Sequence, residues 1–270
     1  MSYDTKEILG ALSYKFDGNW ERMYKALKEK EILSEEEVEN LYQKITTNYI
    51  YVTSPNYPSC FISELNCPPI VVYYKGDLSL LTNRDKYHYV GIVGSRGASE
   101  YGKNSVRDIV KGLGEDTVIV SGLAKGIDRS AHEAALDNNL KTIAVLGNGI
   151  DYIYPSENED LYKRIVNEGG LILSEYPALV KPQPQQFIHR NRIVAVLSEF
   201  LLIAEAYDRS GTSTTVNYAL NAGVTVGCIP YPRNCKSLCN RLIKEGAVLI
   251  ESSIDIIDQL RRKWTWLFIR

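Results

Sequence analysis

The sequence predicts a doubly wound α/β sheet preceded by a small helical module, and three observations carry that reading. From about residue 70 onward, short apolar runs alternate with amphipathic stretches of roughly 10–15 residues, the rhythm of strand–helix–strand units. The runs are apolar on both faces, as parallel strands covered by helices on both sides require. Before that point the pattern is helical and then turn-rich. With 270 residues, 44% of them apolar and 24% charged, the chain is globular in composition and long enough for one large domain, or one plus a small one.

The helical module is expected over residues 1–52. Trp20, Met23, Tyr24 and Leu27 fall at i, i+3, i+4 and i+7, one face of a helix. Ser34 followed by Glu35, Glu36 and Glu37 is a capping box with acid at the positive end of the helix dipole, and Val38, Leu41 and Ile45 continue the stripe. That acidic cluster is therefore a helix start rather than a metal or partner site. Residues 53–69, with Pro55, Pro58, Pro68 and Pro69, read as a linker, and residues 70–270 as the sheet domain. Its candidate strands are Val71–Tyr74, Tyr89–Val93, Val118–Val120, Thr142–Leu146, Leu171–Leu173, Phe200–Ala204, Val224–Ile229 and Ala247–Ile250.

Several function classes are disfavoured at once. No run approaches the ~18 apolar residues that span a membrane. The start, Met1 to Glu7, lacks the basic-then-apolar order of a secretion signal, so the cytoplasm is the expected location. Five cysteines, nearest in spacing at Cys60/Cys67 and Cys235/Cys239, suit reduced thiols better than a structural metal, and no metal or cofactor is expected. The net charge is −2, from 31 basic and 33 acidic residues. A site for a polyanion must then be local, built from a few aimed side chains and backbone N–H groups.

In doubly wound sheets ligands lie outside the carboxyl ends of the strands, near helix N-termini. The first such loop holds Gly91, Gly94, Ser95, Arg96 and Gly97 and leads into a helix from about Ser99, an arrangement suited to an anion. Its glycine spacing is not that of the dinucleotide fingerprint, and no P-loop sequence occurs. The next loop runs from Ser121 and Gly122 through Lys125 to Asp128, with His132 a turn later. A Ser121–Asp128–His132 triad is disfavoured, because the nucleophile elbow is absent and Asp128 and His132 sit one helical turn apart. Further on, Gly147 and Gly149 open backbone space around Asn148, which suits either a base edge or a turn.

The strongest basic signal is Phe187-Ile188-His189-Arg190-Asn191-Arg192. Residues two apart on a helix point about 200° away from each other, so Arg190 and Arg192 cannot both line one open groove if the helix is already formed there. One is expected to reach the strand ends while the other bridges nearby backbone. Two arginines beside Phe187 suit single-stranded nucleic acid, whereas the alternative is an arginine–carboxylate network with Glu175, Glu205 or Asp208. The last loop, Glu205 to Thr215, places Ser210, Thr212, Ser213, Thr214 and Thr215 at a strand-to-helix junction, where hydroxyls cap a helix or meet a phosphate.

Taken in order, these motifs resemble the DNA-processing protein A (Smf) family of bacterial natural-transformation proteins. The matching residues are Gly94-Ser95-Arg96 with Ser99, Tyr101 and Gly102, then Ser121-Gly122-Leu123-Ala124, Gly126-Ile127-Asp128 and Ala131-His132. They continue through Gly147, Gly149-Ile150-Asp151, Tyr154-Pro155, Ser174-Glu175-Tyr176-Pro177, Phe187, Arg190-Asn191-Arg192, Ser210-Gly211 and Thr215, across about residues 70–250. The resemblance implies an extended Rossmann-like, mostly parallel sheet with a sterile-alpha-motif-like helical domain. It implies a homodimer without enzymatic activity or catalytic residues, which binds and protects incoming single-stranded DNA and loads the RecA recombinase onto it. By matching position, Arg96, Arg190 and Arg192 become phosphate ligands or site organisers, and the loops at Ser95, Ser121, Gly122, Gly147 and Gly149 shape the pocket. Gly94, Lys125, Asn148, Phe187, Asn191 and Ser210 complete the expected DNA-binding set, Lys125 by location alone.

The sequence departs from the family in places. Tyr231 and Leu238 stand where glycines are usual, so the loop between them is expected to differ in shape, and Ser156 replaces a lysine found in some relatives. The winged-helix domain that ends many relatives is not expected here. The basic aromatic tail, Arg261 to Arg270, suits either packing on its own domain or association with RecA or a second copy. Two rival functions remain from the residues themselves. One is a phosphoribohydrolase-like enzyme, although Ser210-Gly211-Thr212 lacks that group's glycine pair and acid. The other is a nucleotide-sensing module.

Overall fold

The computed structural model describes residues 3–31, 33–207 and 211–267, with side chains as far as Arg262. Three helices come first, α1 (Thr5–Lys15), α2 (Trp20–Lys28) and α3 (Glu35–Tyr42). Capping boxes start two of them: Asp4 with Glu7 opens α1, and Ser34 with Glu37 opens α3 as expected. Of the α2 stripe, Met23 is buried and Leu27 is exposed, so the buried face is rotated towards Ala26.

Next come β1 (Tyr49–Tyr51), α4 (Ser59–Ser63), β2 (Val71–Gly76) and α5 (Ser79–Thr82). Alternation follows with β3 (His88–Gly94), α6 (Glu100–Lys111), β4 (Thr117–Ser121), α7 (Ile127–Asp137), β5 (Lys141–Leu146), α8 (Glu159–Asn167) and β6 (Leu171–Ser174). The chain finishes with α9 (Pro184–Leu197), β7 (Phe200–Glu205), α10 (Thr212–Asn221), β8 (Thr225–Cys228), α11 (Leu238–Lys244), β9 (Val248–Leu249) and α12 (Ser253–Leu267). All strands read from the sequence are present, and β1 is added. Its three residues, Tyr-Ile-Tyr, are too few to show a period, so they fall within the span expected for the helical module. Residues 53–69 are likewise not a bare linker, because α4 lies there and buries Phe61 completely.

The nine strands form one sheet in the order β1-β2-β6-β5-β4-β3-β7-β8-β9. Pairing is parallel from β6 to β9, and antiparallel only where β1 meets β2 and β2 meets β6. Along β7, Leu201 and Ile203 enter one core and Phe200, Leu202 and Ala204 the other, the two-residue alternation of a strand covered on both sides. Residues of α9 and α10 fill the first core, and those of α6, α7 and α12 the second. A third core joins Leu9, Leu12, Phe16 and Met23 of the N-terminal helices to Leu146, Ile150 and Ile172 at the β5–β6 end.

The chain builds outward from β3 to β4, β5 and β6, then returns to add β7, β8 and β9 on the other side. The carboxyl ends of β3 and β7 therefore flank the topological switch point, where a crevice is expected in this architecture.

Candidate functional site

A cavity of about 560 Å³ opens at that switch point. Gly94, Ser95 and Arg96 enter it from β3, Gly122 and Asp128 from beyond β4, and Tyr154 from beyond β5. Pro184, Phe187, Ile188, Arg190, Asn191 and Val194 of α9 form one wall, and Gly211, Thr212 and Thr215 bring the start of α10 to the other. Pro184 occupies the first helical position of α9, where its missing N–H removes no helix bond. That start lets Phe187 and Asn191, one turn apart, face the cavity together.

The Gly94–Arg96 turn is fixed by backbone. Ser95 N–H donates to the Glu205 carbonyl at 2.7 Å, and Ile127 N–H donates to the Ser95 carbonyl at 3.1 Å. Arg96 is exposed, with its guanidinium carbon 5.1 Å from the Phe187 ring centre, and it pairs with no carboxylate among the described residues. Tyr154 lies on the same aromatic wall, its ring centre 5.8 Å from that of Phe187. Phe187 can approach so closely because Gly147 carries no side chain: a Cβ there would sit 2.7 Å from the Phe187 ring.

Arg190 is buried at the back. Its Nη1 donates to the carbonyls of Gly122, at 2.6 Å, and Val145, and its Nε donates to Asn191 Oδ1 at 3.2 Å. A side chain at Gly122 would collide with the guanidinium. Burial lowers the Arg190 pKa to about 10, with Asp128 opposing and Arg96 adding to the shift, so it keeps its charge at neutral pH. Burial pushes the Asp128 carboxyl up, while Arg190 and the amides of Ala124 and Gly122 pull it back. Two guanidinium groups thus stand against one carboxyl beside a helix start, a local bias towards anions on a chain of net charge −2.

Arg192 does not join them. It points away from the cavity and is sealed against Glu175, with Nη2 to Oε1 at 2.6 Å and both side chains at most 5% exposed. Burial pushes the Glu175 carboxyl up and the Arg192 guanidinium pulls it down. The divergence expected from helical spacing therefore sends Arg190 to the strand ends and Arg192 into a carboxylate pair. Lys125 also stands outside the cavity lining, on the surface, in an ion pair with Glu157. Asn148 is buried and holds its turn by donating to the carbonyls of Gly149 and Tyr152, rather than facing the cavity. Ser121 is buried and donates to the Ile92 carbonyl at 2.6 Å. Gly147 and Gly149 lie behind the wall, Gly149 against the carbonyl of Ala178. Ser210, with Asp208 and most of the tail side chains, lies outside the described residues.

No triad forms from Ser121, Asp128 and His132. The Thr142 hydroxyl donates to the Ile119 carbonyl at 2.8 Å, so His132 Nδ1, 2.7 Å from that hydroxyl, is the donor to it. Among the described residues, no three His, Cys, Asp or Glu gather as metal ligands, and no helix is long and apolar enough to cross a membrane. Tyr154 joins the cavity wall without being among the expected site residues, and its one signal in the sequence is an aromatic just before Pro155, beyond a strand end. Tyr231, one of the departures, adds a donor rather than a gap: its hydroxyl is 2.9 Å from Glu205 Oε2, which Ser99 Oγ also meets at 2.6 Å. Burial acts to raise the Glu205 pKa, but donors from Ser99, Tyr207 and Tyr231 together hold it below the usual carboxylate range.

Residues 48–261 match the family described as DNA recombination-mediator protein A. DNA processing protein DprA of Streptococcus pneumoniae is 43% identical over 200 residues, which cover 73% of this chain and 69% of that protein. DprA of Bacillus subtilis is 36% identical over 227 residues, 81% of this chain and 73% of that one. Protein Smf of Synechocystis is 39% identical over 222 residues, 81% of this chain but 55% of the relative, so the chain spans about half of that protein's length. The X-ray structure of DprA from S. pneumoniae aligns with a TM-score of 0.74 at 34% identity, over 94% of this chain and 93% of that one. A structure of DNA processing protein A from Helicobacter pylori, concerned with its single-stranded DNA binding mode, aligns with a TM-score of 0.71 at 31% identity, over 81% and 98%. A match of that extent, with relatives of that identity, makes the chain a member of the DNA recombination-mediator protein A (DprA/Smf) family.

Proposed function

We propose that the cavity binds single-stranded DNA and that the chain acts as a recombination mediator rather than an enzyme. On this reading it works as a homodimer in the cytoplasm, protects incoming DNA and passes it to the RecA recombinase in natural transformation. One observation supports it most: Arg96 stands exposed on the Phe187 ring, at the mouth of a cavity with a second guanidinium buried at the back. A single strand offers what those groups recognise, flat bases for Phe187 and Tyr154 and phosphates for Arg96, Arg190 and the start of α10. The cavity also lies within the ~300–1,000 Å³ common to small-ligand clefts, so it admits a nucleotide or two of a strand rather than a duplex.

Titration of a fluorescent single-stranded oligonucleotide at rising salt tests this reading. Affinity falls with salt, and Arg96→Ala weakens binding about tenfold across sequences while lowering the log–log salt slope by about one. Adding RecA and a duplex competitor to the same assay reads partner and strand preference. Tight binding of a mononucleotide with none of the oligomer would instead make the site a nucleotide sensor. Release of base from a nucleotide would favour the phosphoribohydrolase reading.

A further inference from the structure

We propose that the N-terminal helices set the pose of α9 and so tune the cavity, with Trp20 as the positioning residue. The inference rests on the DNA-binding reading of the cavity. Helix α9 has two occupied faces: Phe187, Ile188, Arg190 and Asn191 line the cavity, while His189 and Arg192 turn away from it. The Trp20 indole lies flat on the His189 ring, with centres 5.0 Å apart and planes 6° from parallel. The turn before Trp20 reaches the same network. Gly18, at φ +69°, sits so close to the segment after β6 that a Cβ would be 2.5 Å from the Glu175 carbonyl. Glu175 in turn carries Arg192. The N-terminal helices thus meet the outer face of α9 directly at His189, and the turn before Trp20 packs on the backbone of Glu175, which holds Arg192.

Around that contact the polar groups are incompletely paired by protein atoms. His189 Nε2, Glu175 Oε2, and Arg192 Nε and Nη1 are buried without a hydrogen-bond partner among the described residues, and His189 Nε2 stops 3.8 Å short of Glu175 Oε2. On this inference the stack of Trp20 on His189 is what holds α9 in the pose that the cavity needs. A binding site whose competent pose is only partly populated shows an affinity reduced by that fraction.

The test uses the full chain and a fluorescent single-stranded oligonucleotide. Trp20→Ala weakens binding about threefold to tenfold, the range that an aromatic pair supplies, and leaves the salt slope unchanged because no phosphate contact is lost. Trp20→Phe restores most of the affinity. In a Trp264→Phe, Trp266→Phe background, Trp20 is the remaining tryptophan, and its emission shifts on oligonucleotide addition although it is not a cavity residue. This second measurement stands even where Trp20→Ala fails to fold. Wild-type affinity in Trp20→Ala, or an emission unmoved at saturation, overturns the inference while the DNA reading survives. Absence of oligonucleotide binding by the wild type would sink the DNA reading itself.

Discussion

Arg190 and Arg192 stand two residues apart on one helix, are equally buried, and live in opposite electrostatic worlds. Arg190 rests on the neutral carbonyls of Gly122 and Val145, with the Asp128 carboxyl nearby but not hydrogen-bonded to it. Arg192 meets a carboxylate directly, at 2.6 Å from Glu175. Carbonyl dipoles hold a guanidinium in place without cancelling its charge, whereas a carboxylate cancels it. The cavity face of α9 thus keeps a positive field, and the opposite face carries a neutralised pair. Burial of an arginine, taken alone, says nothing about which of these it does.

The sharpest way to break this contrast is to remove the carboxylate. Glu175→Ala strands Arg192 as an uncompensated buried charge and lowers folding stability by about 3–5 kcal/mol. Urea unfolding measures it, and a loss under about 1 kcal/mol would show that Arg192 does not depend on Glu175. The same variant leaves the salt slope of oligonucleotide binding intact, because the lost group faces away from the cavity.

Taken per pH unit, a smaller effect comes from protonation. Burial depresses the pKa of both His132 and His189 to about 3, with Arg190 and Arg192 respectively adding to the shift. In the unfolded chain each takes up its proton near pH 6.5, so between about pH 6.5 and 3 the unfolded state carries the extra proton. Stability therefore falls as pH drops through that window, by about 1.4 kcal/mol per pH unit for each histidine. The upward-shifted carboxyls of Glu175 and Asp128 act in the opposite sense. The histidine part is read as the difference in slope between wild type and His189→Gln, which loses one proton's worth. Equal slopes would mean that His189 titrates normally in the fold.

The smallest change expected is at Lys125. Its pair with Glu157 is more than half exposed on both sides. Lys125→Ala should shift stability by less than about 0.5 kcal/mol and oligonucleotide affinity by less than about twofold. A tenfold loss would return Lys125 to the binding surface.

Much of this was legible in the residues, for identifiable reasons. The strands from residue 71 onward announced themselves because both of their faces are covered, leaving unbroken apolar runs. Strand β1 did not, since three residues at a sheet edge carry no such run. The opposite aims of Arg190 and Arg192 followed from helical geometry. Which carboxylate would take the outward one did not, because Glu175 and Glu205 both end apolar strands and only the fold brings Glu175 under α9 while Ser99, Tyr207 and Tyr231 surround Glu205. Lys125 looked available because its partner, Glu157, lies 32 residues away in sequence. Asn148 was equally suited to a base or a turn, and only its burial with two carbonyls on its amide decides for the turn.

The resting place of Arg96 has a consequence for how a guest arrives. A bare ring at the mouth of a cleft would invite any passing apolar surface, but here a cation already lies against it. On the proposed DNA-binding reading, an incoming base evicts that cation, giving up roughly 0.5–1 kcal/mol to gain roughly 1–3 kcal/mol of stacking. The displaced guanidinium is then released within reach of whatever backbone follows the base. Entry is an exchange, so a free base that brings no phosphate gains only the difference, while a nucleotide chain is rewarded on both counts.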